Sequence, residues 1–358
     1  MFTKYKYDKL ANSLREQITE GALCPGDKLP TESELVAQFS VSRQTVRQAL
    51  SLLKKDGFIE TRQGSGSIIK NRFLNSDNDG ASKTIAVITT YIGEYIFPDI
   101  LRAIEEVLTE NHYHIMVFAT KNRVDNERRI LSDVLEIPLA GLIVEGTKTA
   151  LPNPNIDLYN KLERRGMPIV FIHASYPDLH SAVQVRADDK DGGISATEYL
   201  ISNGHKRIAG IFKSDDLQGH LRYAGYTEAM LAHNLQIIDE NVLWYTTESS
   251  KTISLLGIQV LAGCTAVVCY NDEVAIQLLN LLKQENVRVP DDMSVMSFDN
   301  SSFSEVSTPK ISSCSQQKRQ IGVLAAKKLI NIINNLPQES SVLPWRVIEK
   351  ESVISVNQ

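Results

Sequence analysis

The amino-terminal fold is decided by residues 28–69, which read KLPTESELVAQFSVSRQTVRQALSLLKKDGFIETRQGSGSII. Thr31 and Glu34 have the spacing of a helix capping box, in which each side chain satisfies a free backbone amide of the other residue. After a turn at FSVS, Ser42 is placed to cap a second helix, and Gly57 ends that helix. Two short β-rich runs, FIETR and SIIK, are then joined by QGSG, which is typical of a hairpin turn. We therefore predict a helix-turn-helix followed by a glycine-tipped hairpin.

The second helix of this pair has an apolar face and a polar face. The residues expected to be buried recur at helical spacing: Val46, Ala49, Leu50 and Leu53. The opposite face carries Arg43, Gln44 and Arg47, whose side chains can read base edges in a major groove. The hairpin has no bulky side chain at Gly64 or Gly66, so it can approach a DNA backbone or a minor groove closely. A basic helix face can also be merely solvated, but the capping box, the hairpin and the local charge together favour DNA binding.

Charge is distributed unevenly along the 358 residues. Residues 1–72 contain twelve Lys or Arg and eight Asp or Glu, a balance of +4, whereas the whole chain carries −5 and the remainder therefore −9. The basic part also includes a helix predicted over residues 7–18 and ended by Gly21. A small basic part attached to a larger acidic part indicates that only the former binds a polyanion.

A polar stretch of small residues divides the chain. Residues 71–82, NRFLNSDNDGAS, are expected to form a linker between a DNA-binding head, residues 1–70, and a body, residues 83–358. In the body, apolar runs alternate with helix-length amphipathic segments. These runs are TIAVITTY (84–91), HIMVFATK (114–121), GLIVEG (141–146), PIVFIHAS (168–175), RIAGIF (207–212), TAVVCYND (265–272) and MSVMSFDN (293–300). Continuous apolar strands of this kind predict parallel sheets covered by helices on both faces.

Several of these strands end in polar residues, and the carboxyl ends of strands line the ligand crevice of open α/β sheets. The candidates are Tyr91, Glu145, His173, Lys213, Asn271 and Asp299, with Tyr95 and Phe97 as nearby aromatics. Convergent donors and acceptors next to aromatic rings suit a polyhydroxylated small molecule, such as a sugar. Asp188, Asp189 and Asp272 also follow strands, but each is placed to begin a helix, and we interpret them as structural.

Residues 4–70 resemble the winged-helix domain of the GntR family of bacterial repressors, through P-T-E-S-E-L, S-R-x-T-V-R-x-A-L and the glycine-tipped hairpin. This resemblance implies DNA contacts from Ser33, Arg43, Thr45, Arg47 and Gly64. The full candidate DNA-binding set also contains their neighbours Ser42, Gln44 and Gln63.

The body resembles, from about residue 83 to residue 356, the periplasmic-binding-protein type I fold of LacI-type regulators. The resemblance is carried by CYNDEVAIQLLNLL, VRVPDDMSVMSFDN, SNGHKRIAGIF and LRYAGYTEAM. It implies a ligand held between two subdomains, with contacts from Arg222, Asn271, Asp299, Gln316 and His173. Where that family often has N-P-F-F, this chain has Glu94-Tyr95-Ile96-Phe97, so one stacking aromatic is replaced and Glu94 joins the candidate ligand set.

The expected fold class is therefore α/β, with a small N-terminal winged helix-turn-helix and a two-subdomain parallel-sheet periplasmic-binding-protein type I fold. By the same resemblance, the first subdomain comprises residues 83–186 and a returning segment near 314–340. The second comprises residues 187–313 and a last strand near 346–356. The resemblance also implies a homodimer that binds pseudo-palindromic operators in double-stranded DNA.

A GntR-type head on a LacI-type body resembles the arabinose-responsive repressors of low-GC Gram-positive bacteria. The shared segments are TTYIGEYIFPDILRAIE, DNERR, GLIVEGTKTAL, HASY and GIFKSDDLQG. This resemblance implies L-arabinose as the effector, arabinose uptake and catabolism operators as targets, and release from DNA when the sugar binds. Composition and spacing by themselves indicate only a polyhydroxylated ligand.

Other classes of protein are disfavoured by what the sequence lacks. No unbroken apolar run is long enough to span a bilayer, and the polar start MFTKYKYDKL lacks the apolar centre of a secretory signal, so a cytoplasmic protein is expected. The four cysteines are scattered, and His112 with His114 would need further ligands to hold a metal, so we expect neither a metal nor a cofactor. The chain has no nucleophile elbow, Walker loop or zinc-protease motif, and we expect no enzyme activity.

Three alternatives stay open at this stage. A cytosolic sugar-binding or transport component is disfavoured by the DNA-binding head, and a sugar-processing α/β enzyme would be revealed by turnover. The strongest alternative is a regulator of the same architecture that responds to another sugar or to a sugar phosphate. Lys213 and Arg222 could serve a phosphate, whereas Glu94, Glu145 and Asp299 would repel one.

Overall fold

The computed structural model describes residues 5–62, 66–70, 82–93, 95–180 and 182–356. The described part of the head consists of α1 (Lys6–Thr19), α2 (Glu32–Phe39), α3 (Arg43–Lys55), β1 (Ile59–Arg62) and β2 (Gly66–Ile69). The hairpin tip with Gln63 and Gly64, the linker up to residue 81, and Glu94 lie outside the described residues.

The helix-turn-helix forms where the caps in the sequence predict it. The Thr31 hydroxyl accepts from the amide of Glu34, and the Glu34 carboxylate accepts from the amide of Thr31, which completes the capping box. The hydroxyl of Ser42 accepts from the amide of Thr45 at the start of α3. β1 and β2 pair antiparallel, with Arg62 opposite Gly66. Apolar residues from every element meet in one core: Leu10, Leu14, Leu35, Val46, Ala49, Leu53, Ile59 and Ile69.

The body is built from alternating strands and helices. Its first part contains β3 (Thr84–Thr89), α4 (Phe97–Glu110), β4 (His114–Ala119), α5 (Val124–Glu136), β5 (Gly141–Glu145), α6 (Ile156–Arg164), β6 (Ile169–Ile172) and β7 (Val183–Ala187). Then follow α7 (Asp189–Ser202), β8 (Ile208–Lys213), α8 (Leu217–Ala232), a 3₁₀ turn (Asp239–Asn241), β9 (Val242–Tyr245), α9 (Thr252–Val260), β10 (Ala266–Cys269), α10 (Asp272–Gln284), β11 (Ser294–Phe298), α11 (Ser302–Val306) and β12 (Ser312–Ser315). The last elements are α12 (Lys318–Ile333), β13 (Ser341–Leu343) and β14 (Arg346–Ile348).

These strands form two sheets, one in each subdomain. The first has the order β13-β7-β6-β5-β3-β4 and is parallel throughout. The second has the order β14-β12-β11-β10-β8-β9 and is parallel apart from β14. The chain passes between the subdomains after β7, between β12 and α12, and between β13 and β14. The α/β class and the two-subdomain parallel-sheet architecture predicted from the sequence are confirmed.

The details of the subdomain division differ slightly from the expectation. The returning segment begins with α12 at Lys318 rather than near residue 314, because β12 pairs with β11 in the second sheet. Residues 341–343 add β13 to the first sheet, and the last strand ends at Ile348 rather than near residue 356.

Burial on both faces explains the continuous apolar strands. On β3, Ile85 and Val87 face one core, and Ala86 and Ile88 face the other. The first core is covered by α4 and α12, which approach so closely that a Cβ on Gly322 would lie 2.5 Å from the carbonyl oxygen of Ile100. Across the described ranges, no helix has the length and apolar character needed to cross a membrane.

Candidate functional site: the DNA-binding face and the ligand cleft

The DNA-binding candidates of the head lie around the amino-terminal end of α3. Ser33 on α2 is exposed, as are Ser42, Arg43 and Gln44. The hydroxyls of Ser42 and Thr45 lie 2.9 Å apart, and both belong to the helix cap. The amino-terminal residues of a recognition helix are those that meet base edges, so Arg43 and Gln44 occupy the positions that direct readout requires.

Arg47 is exposed but not isolated. Its Nε lies 3.1 Å and 3.2 Å from the two carboxylate oxygens of Glu32 on α2. This pair joins the two helices of the helix-turn-helix on its solvent side. Because 70% of the Arg47 side chain is exposed, the ion pair contributes little to stability and can be exchanged for a phosphate or a base.

The cleft between the two subdomains holds a cavity of about 210 Å³ at the carboxyl ends of the strands. The structure brings together on its wall most of the ligand candidates: Tyr91, Tyr95, Phe97, Glu145, His173, Lys213, Arg222, Asn271 and Asp299. The cavity is smaller than the roughly 300–1,000 Å³ of drug-sized sites, which favours a ligand of monosaccharide size.

A buried carboxylate–imidazole pair forms one wall. Oε1 of Glu145 lies 2.8 Å from Nδ1 of His173, and Oε2 accepts from both the amide and the hydroxyl of Thr90. Burial of the imidazole opposes its charged form, but the hydrogen bond and the charge of Glu145 outweigh burial and raise the pKa of His173. Nε2 of His173 is buried without a protein partner among the described residues, and His173 also has a left-handed backbone at φ 63°. This nitrogen is therefore available to a ligand hydroxyl.

Arg222 is the most enclosed cation of the cleft, with only 1% of its surface exposed. Its Nε donates to Asp189 at 2.9 Å, and Nη1 donates to the carbonyl of Tyr270 at 2.6 Å. Three rings surround the guanidinium at 4.6–5.0 Å from their centroids: Tyr270, Phe298 and Trp345. Burial opposes the charge, but the carboxylates of Asp189 and Asp299 outweigh it and raise the pKa of Arg222. The group is held rigidly and stays a donor at every physiological pH.

Asp299 connects the two subdomains. Its Oδ2 accepts from the hydroxyl of Tyr95, in the first subdomain, at 2.6 Å. Its Oδ1 accepts from Nε2 of Gln316 at 2.9 Å and lies 3.7 Å from the Arg222 guanidinium. A carboxylate has about four acceptor positions, so capacity for ligand hydroxyls remains. Gln316 itself, expected to contact the ligand, lies behind Asp299 rather than on the cavity wall.

Lys213 is neutralised by its neighbours. Its Nζ donates to Asp216 at 2.6 Å and lies 3.8 Å from Asp215. Burial opposes the ammonium charge, but these two carboxylates outweigh burial and raise the pKa of Lys213. The positive charge of Lys213 is therefore already balanced by carboxylates and is not free to bind an anionic ligand.

The roles of two adjacent residues differ from the interpretation made from the sequence. Asp272 was expected to cap α10, but the cap is Asn271, whose Oδ1 accepts from the amide of Val274 at 3.0 Å. Asp272 is fully buried and accepts from Ser301 and Ser313. Asn271 still lines the cavity, and its side-chain nitrogen can donate to a ligand while its oxygen holds the cap.

Sequence reasoning missed a second set of wall residues. These are Thr90, Asn122, Thr149, Asp216, Gln218, Tyr245, Thr247, Tyr270, Glu273 and Gln277. Tyr270 stands directly before Asn271 in the quoted CYND segment and could have been found there. Tyr245 is the last residue of β9, whose short apolar run VLWY was not recognised as a strand. Asp188 caps α7 and Asp189 is its first residue, as interpreted from the sequence, but Asp189 is also the ion-pair partner of Arg222.

The wall as a whole is acidic, because its lysine, Lys213, and its arginine, Arg222, are both already paired with carboxylates. Amide, hydroxyl, carboxylate and imidazole groups converge on a small cavity beside the rings of Tyr91 and Phe97, which lie 6.2 Å apart. Such a set can read the hydroxyl groups of a neutral, compact ligand.

Comparison with known proteins agrees with both halves of the structure. Residues 6–69 match the bacterial regulatory proteins of the gntR family, and residues 197–353 match the periplasmic binding protein-like domain. The crystal structure of the transcription regulator CcpA of Lactococcus lactis superposes with a TM-score of 0.68 at 24% identity, covering 76% of this chain and 99% of that chain. The fold and its DNA-binding head thus define a ligand-responsive transcription regulator.

Two relatives cover almost the whole chain. The arabinose metabolism transcriptional repressor of Halalkalibacterium halodurans is 37% identical over 348 residues, which is 95% of this chain and 92% of that protein. The protein of the same name from Geobacillus stearothermophilus is 40% identical over 334 residues, covering 92% of this chain and 91% of that protein. The chain belongs to the family of arabinose metabolism transcriptional repressors. It is a regulator of transcription and not an enzyme.

Proposed function

We propose that this repressor binds L-arabinose in the cleft and operator DNA through α3 and the hairpin, and that sugar binding releases it from DNA. The observation that carries the proposal is the ring of paired polar groups around the 210 Å³ cavity. The names of the two relatives supply the choice of sugar. The protein is proposed to act in the cytoplasm and to need neither a metal nor a cofactor.

The electrostatics of the cleft favour a neutral sugar over a sugar phosphate. Lys213 and Arg222 are each neutralised by carboxylates, and Glu145, Glu273 and Asp299 add negative charge to the same wall. A phosphate would have to displace an existing ion pair and would be repelled by the carboxylates of the same wall. The same chemistry suits hydroxyl groups, which both donate and accept.

A homodimer is the proposed DNA-binding form. Each head would then present one α3 to one half of a pseudo-palindromic operator. On α11 of the second subdomain, Val306 is 77% exposed and Phe303 is 39% exposed. We propose that this apolar pair is part of the surface that a second copy covers.

The proposed switch is a linkage between two binding events. Sugar favours a closed cleft, and operator DNA favours the dimer geometry of the open cleft. Each ligand then weakens the other by the same coupling free energy, which is typically 1–3 kcal/mol.

Calorimetric titration of the full-length protein tests the sugar assignment. The panel contains L-arabinose, its C4 epimer D-xylose, D-ribose, D-galactose and L-arabinose 5-phosphate. We expect the tightest binding for L-arabinose and no heat for the phosphate. Tighter binding of another sugar, or of the phosphate, would overturn the assignment and leave the repressor architecture intact.

A further inference from the structure

The mouth of the cleft is crossed by contacts between loops of the two subdomains, and the ion pairs of Lys148 among them involve no residue of the cavity wall. We define the cross-cleft latch as the loops at residues 120–122 and 146–150 of the first subdomain, together with residues 213–217 and 246–250 of the second. The conspicuous segments GLIVEGTKTAL and GIFKSDDLQG supply two of these four loops.

The ion pair at the centre of the latch involves Lys148. Its Nζ donates to Glu248 at 2.6 Å and lies 3.8 Å from Asp215. Only 16% of the Lys148 side chain and 1% of the Asp215 side chain are exposed. The hydrogen bond from Lys148 holds the pKa of Glu248 below its usual range, so Glu248 carries its negative charge at neutral pH. Lys148 and Glu248 both lie outside the cavity wall, and neither would touch a bound sugar.

Neutral hydrogen bonds run parallel to this ion pair. Nδ2 of Asn122 donates to Thr247 at 2.7 Å, while Oδ1 of Asn122 accepts from the amide of Lys148 at 2.9 Å. The hydroxyl of Thr149 accepts from the amide of Leu217 at 3.0 Å, at the start of α8. The two subdomains are therefore joined at the mouth by backbone and side-chain bonds together.

Backbone geometry indicates that contacts fix the conformation of these loops. Lys148 has φ 47° and Asn122 has φ 52°, both in the left-handed region. Asn visits that region readily, but Lys does so rarely, and such a conformation persists only where surrounding contacts fix it. Two contacts fix Lys148. Its backbone amide donates a hydrogen bond to Oδ1 of Asn122, and its ammonium group pairs with Glu248 of the other subdomain.

We propose that Lys148 and its cross-cleft carboxylates form a latch that stabilises the closed cleft, and so sets effector affinity without contacting the effector. The proposal rests on the proposed function in one respect, which is that the cleft closes on a sugar. Because these contacts join separate subdomains, opening of the cleft would break them. Loss of the latch lowers the closed population, and the apparent dissociation constant rises in proportion.

The test compares Lys148→Gln and Glu248→Gln with Lys190→Gln in the full-length protein. Lys190 pairs with Glu228 at 2.7 Å within the second subdomain, so it is an ion pair of similar length that does not cross the cleft, with 48% of the Lys190 side chain exposed. We expect each latch variant to bind L-arabinose about three- to tenfold more weakly, mainly through faster release, and Lys190→Gln to stay within about twofold of wild type. The double variant Lys148→Gln/Glu248→Gln should be little worse than either single variant.

Hydrogen exchange on the sugar-free protein separates failure of the latch from failure of the sugar assignment. The latch predicts faster exchange in peptides covering residues 146–151 and 213–219 for Lys148→Gln, with no change for Lys190→Gln. If wild type binds none of the sugars tested, the proposed function is wrong and this exchange result alone decides on the latch. Unchanged exchange, or unchanged affinity in a sugar-binding protein, contradicts the latch.

Discussion

Replacement of Asp299 by Asn tests how the cleft recognises its ligand. The carboxylate is 3% exposed and accepts from Gln316 through Oδ1 and from Tyr95 through Oδ2. Asn keeps Oδ1 as an acceptor, and its Nδ2 can donate to the Tyr95 hydroxyl, which then donates to the carbonyl of Phe298 at 3.3 Å. The backbone at φ 89° also suits Asn, so the variant should fold.

The substitution Asp299→Asn should weaken ligand binding and leave the fold intact. Asn cannot offer a charged acceptor to sugar hydroxyls, and hydrogen bonds to charged groups contribute about 1.5–3 kcal/mol. Sugar affinity should therefore fall roughly ten- to a hundredfold. Arg222 retains Asp189 as its closer partner at 2.9 Å, so the guanidinium stays in place.

Calorimetry with L-arabinose and a reporter strain measure the two consequences. Operator affinity without sugar should stay near wild type because the head is unchanged, so repression should persist when arabinose is added. Asp157→Asn, which removes an exposed carboxylate paired with Arg128 on the far side of the first subdomain, should behave like wild type. If Asp299→Asn instead derepresses without sugar, Asp299 stabilises the DNA-binding form, and its assignment to the ligand is wrong.

Three further predictions concern the head, the domain boundary and the buried histidine. Arg43→Ala should weaken specific operator binding by about 1–3 kcal/mol in a mobility-shift titration and leave sugar binding unchanged; unchanged operator affinity would contradict the assignment of α3. A fragment of residues 82–358 should fold and bind sugar, because the body has cores separate from that of the head; a fragment that does not fold or gives no binding heat contradicts this. Since the pKa of His173 is raised in the folded state, its pair with Glu145 stabilises the protein fully below about pH 6.5 and this stabilisation is lost as pH rises through the folded pKa. The Tm difference between wild type and Glu145→Gln should shrink from pH 6 to pH 9, and a difference that grows with pH refutes the pairing.

Most of the strands that the sequence predicts are buried on both faces, although the edge strand β4 is only partly buried. β3, β5 and β10 are continuous apolar runs because each side chain meets a core whichever way it points. β12 reads SSCS and escaped prediction, since its serines are buried through hydrogen bonds rather than apolar packing. β13 is only three residues long and partly exposed, and such an edge strand leaves no periodic signal.

Site residues could be predicted where one recognisable segment of the sequence carries them. Pairs of residues that come from two separate elements could not be predicted. Arg222 and Asp299 stand in recognisable segments, and both reach the cavity wall. The pairing of Arg222 with Asp189 joins residues 33 positions apart, and that of Lys148 with Glu248 joins residues 100 positions apart. Spacing in the sequence carries no information about such pairs, because the first is set by the packing of α7 against α8 within the second subdomain and the second by contact between the two subdomains.

Operator binding measured with and without sugar tests the central claim most directly. Fluorescence anisotropy of full-length protein on operator DNA, selected from a randomised pseudo-palindromic pool at fixed salt, gives the two dissociation constants. We expect operator affinity to be about five- to 150-fold weaker at saturating L-arabinose, and sugar affinity to be weakened by the same factor when operator is bound. Operator affinity that does not change while calorimetry detects sugar binding would contradict release of the repressor by the sugar.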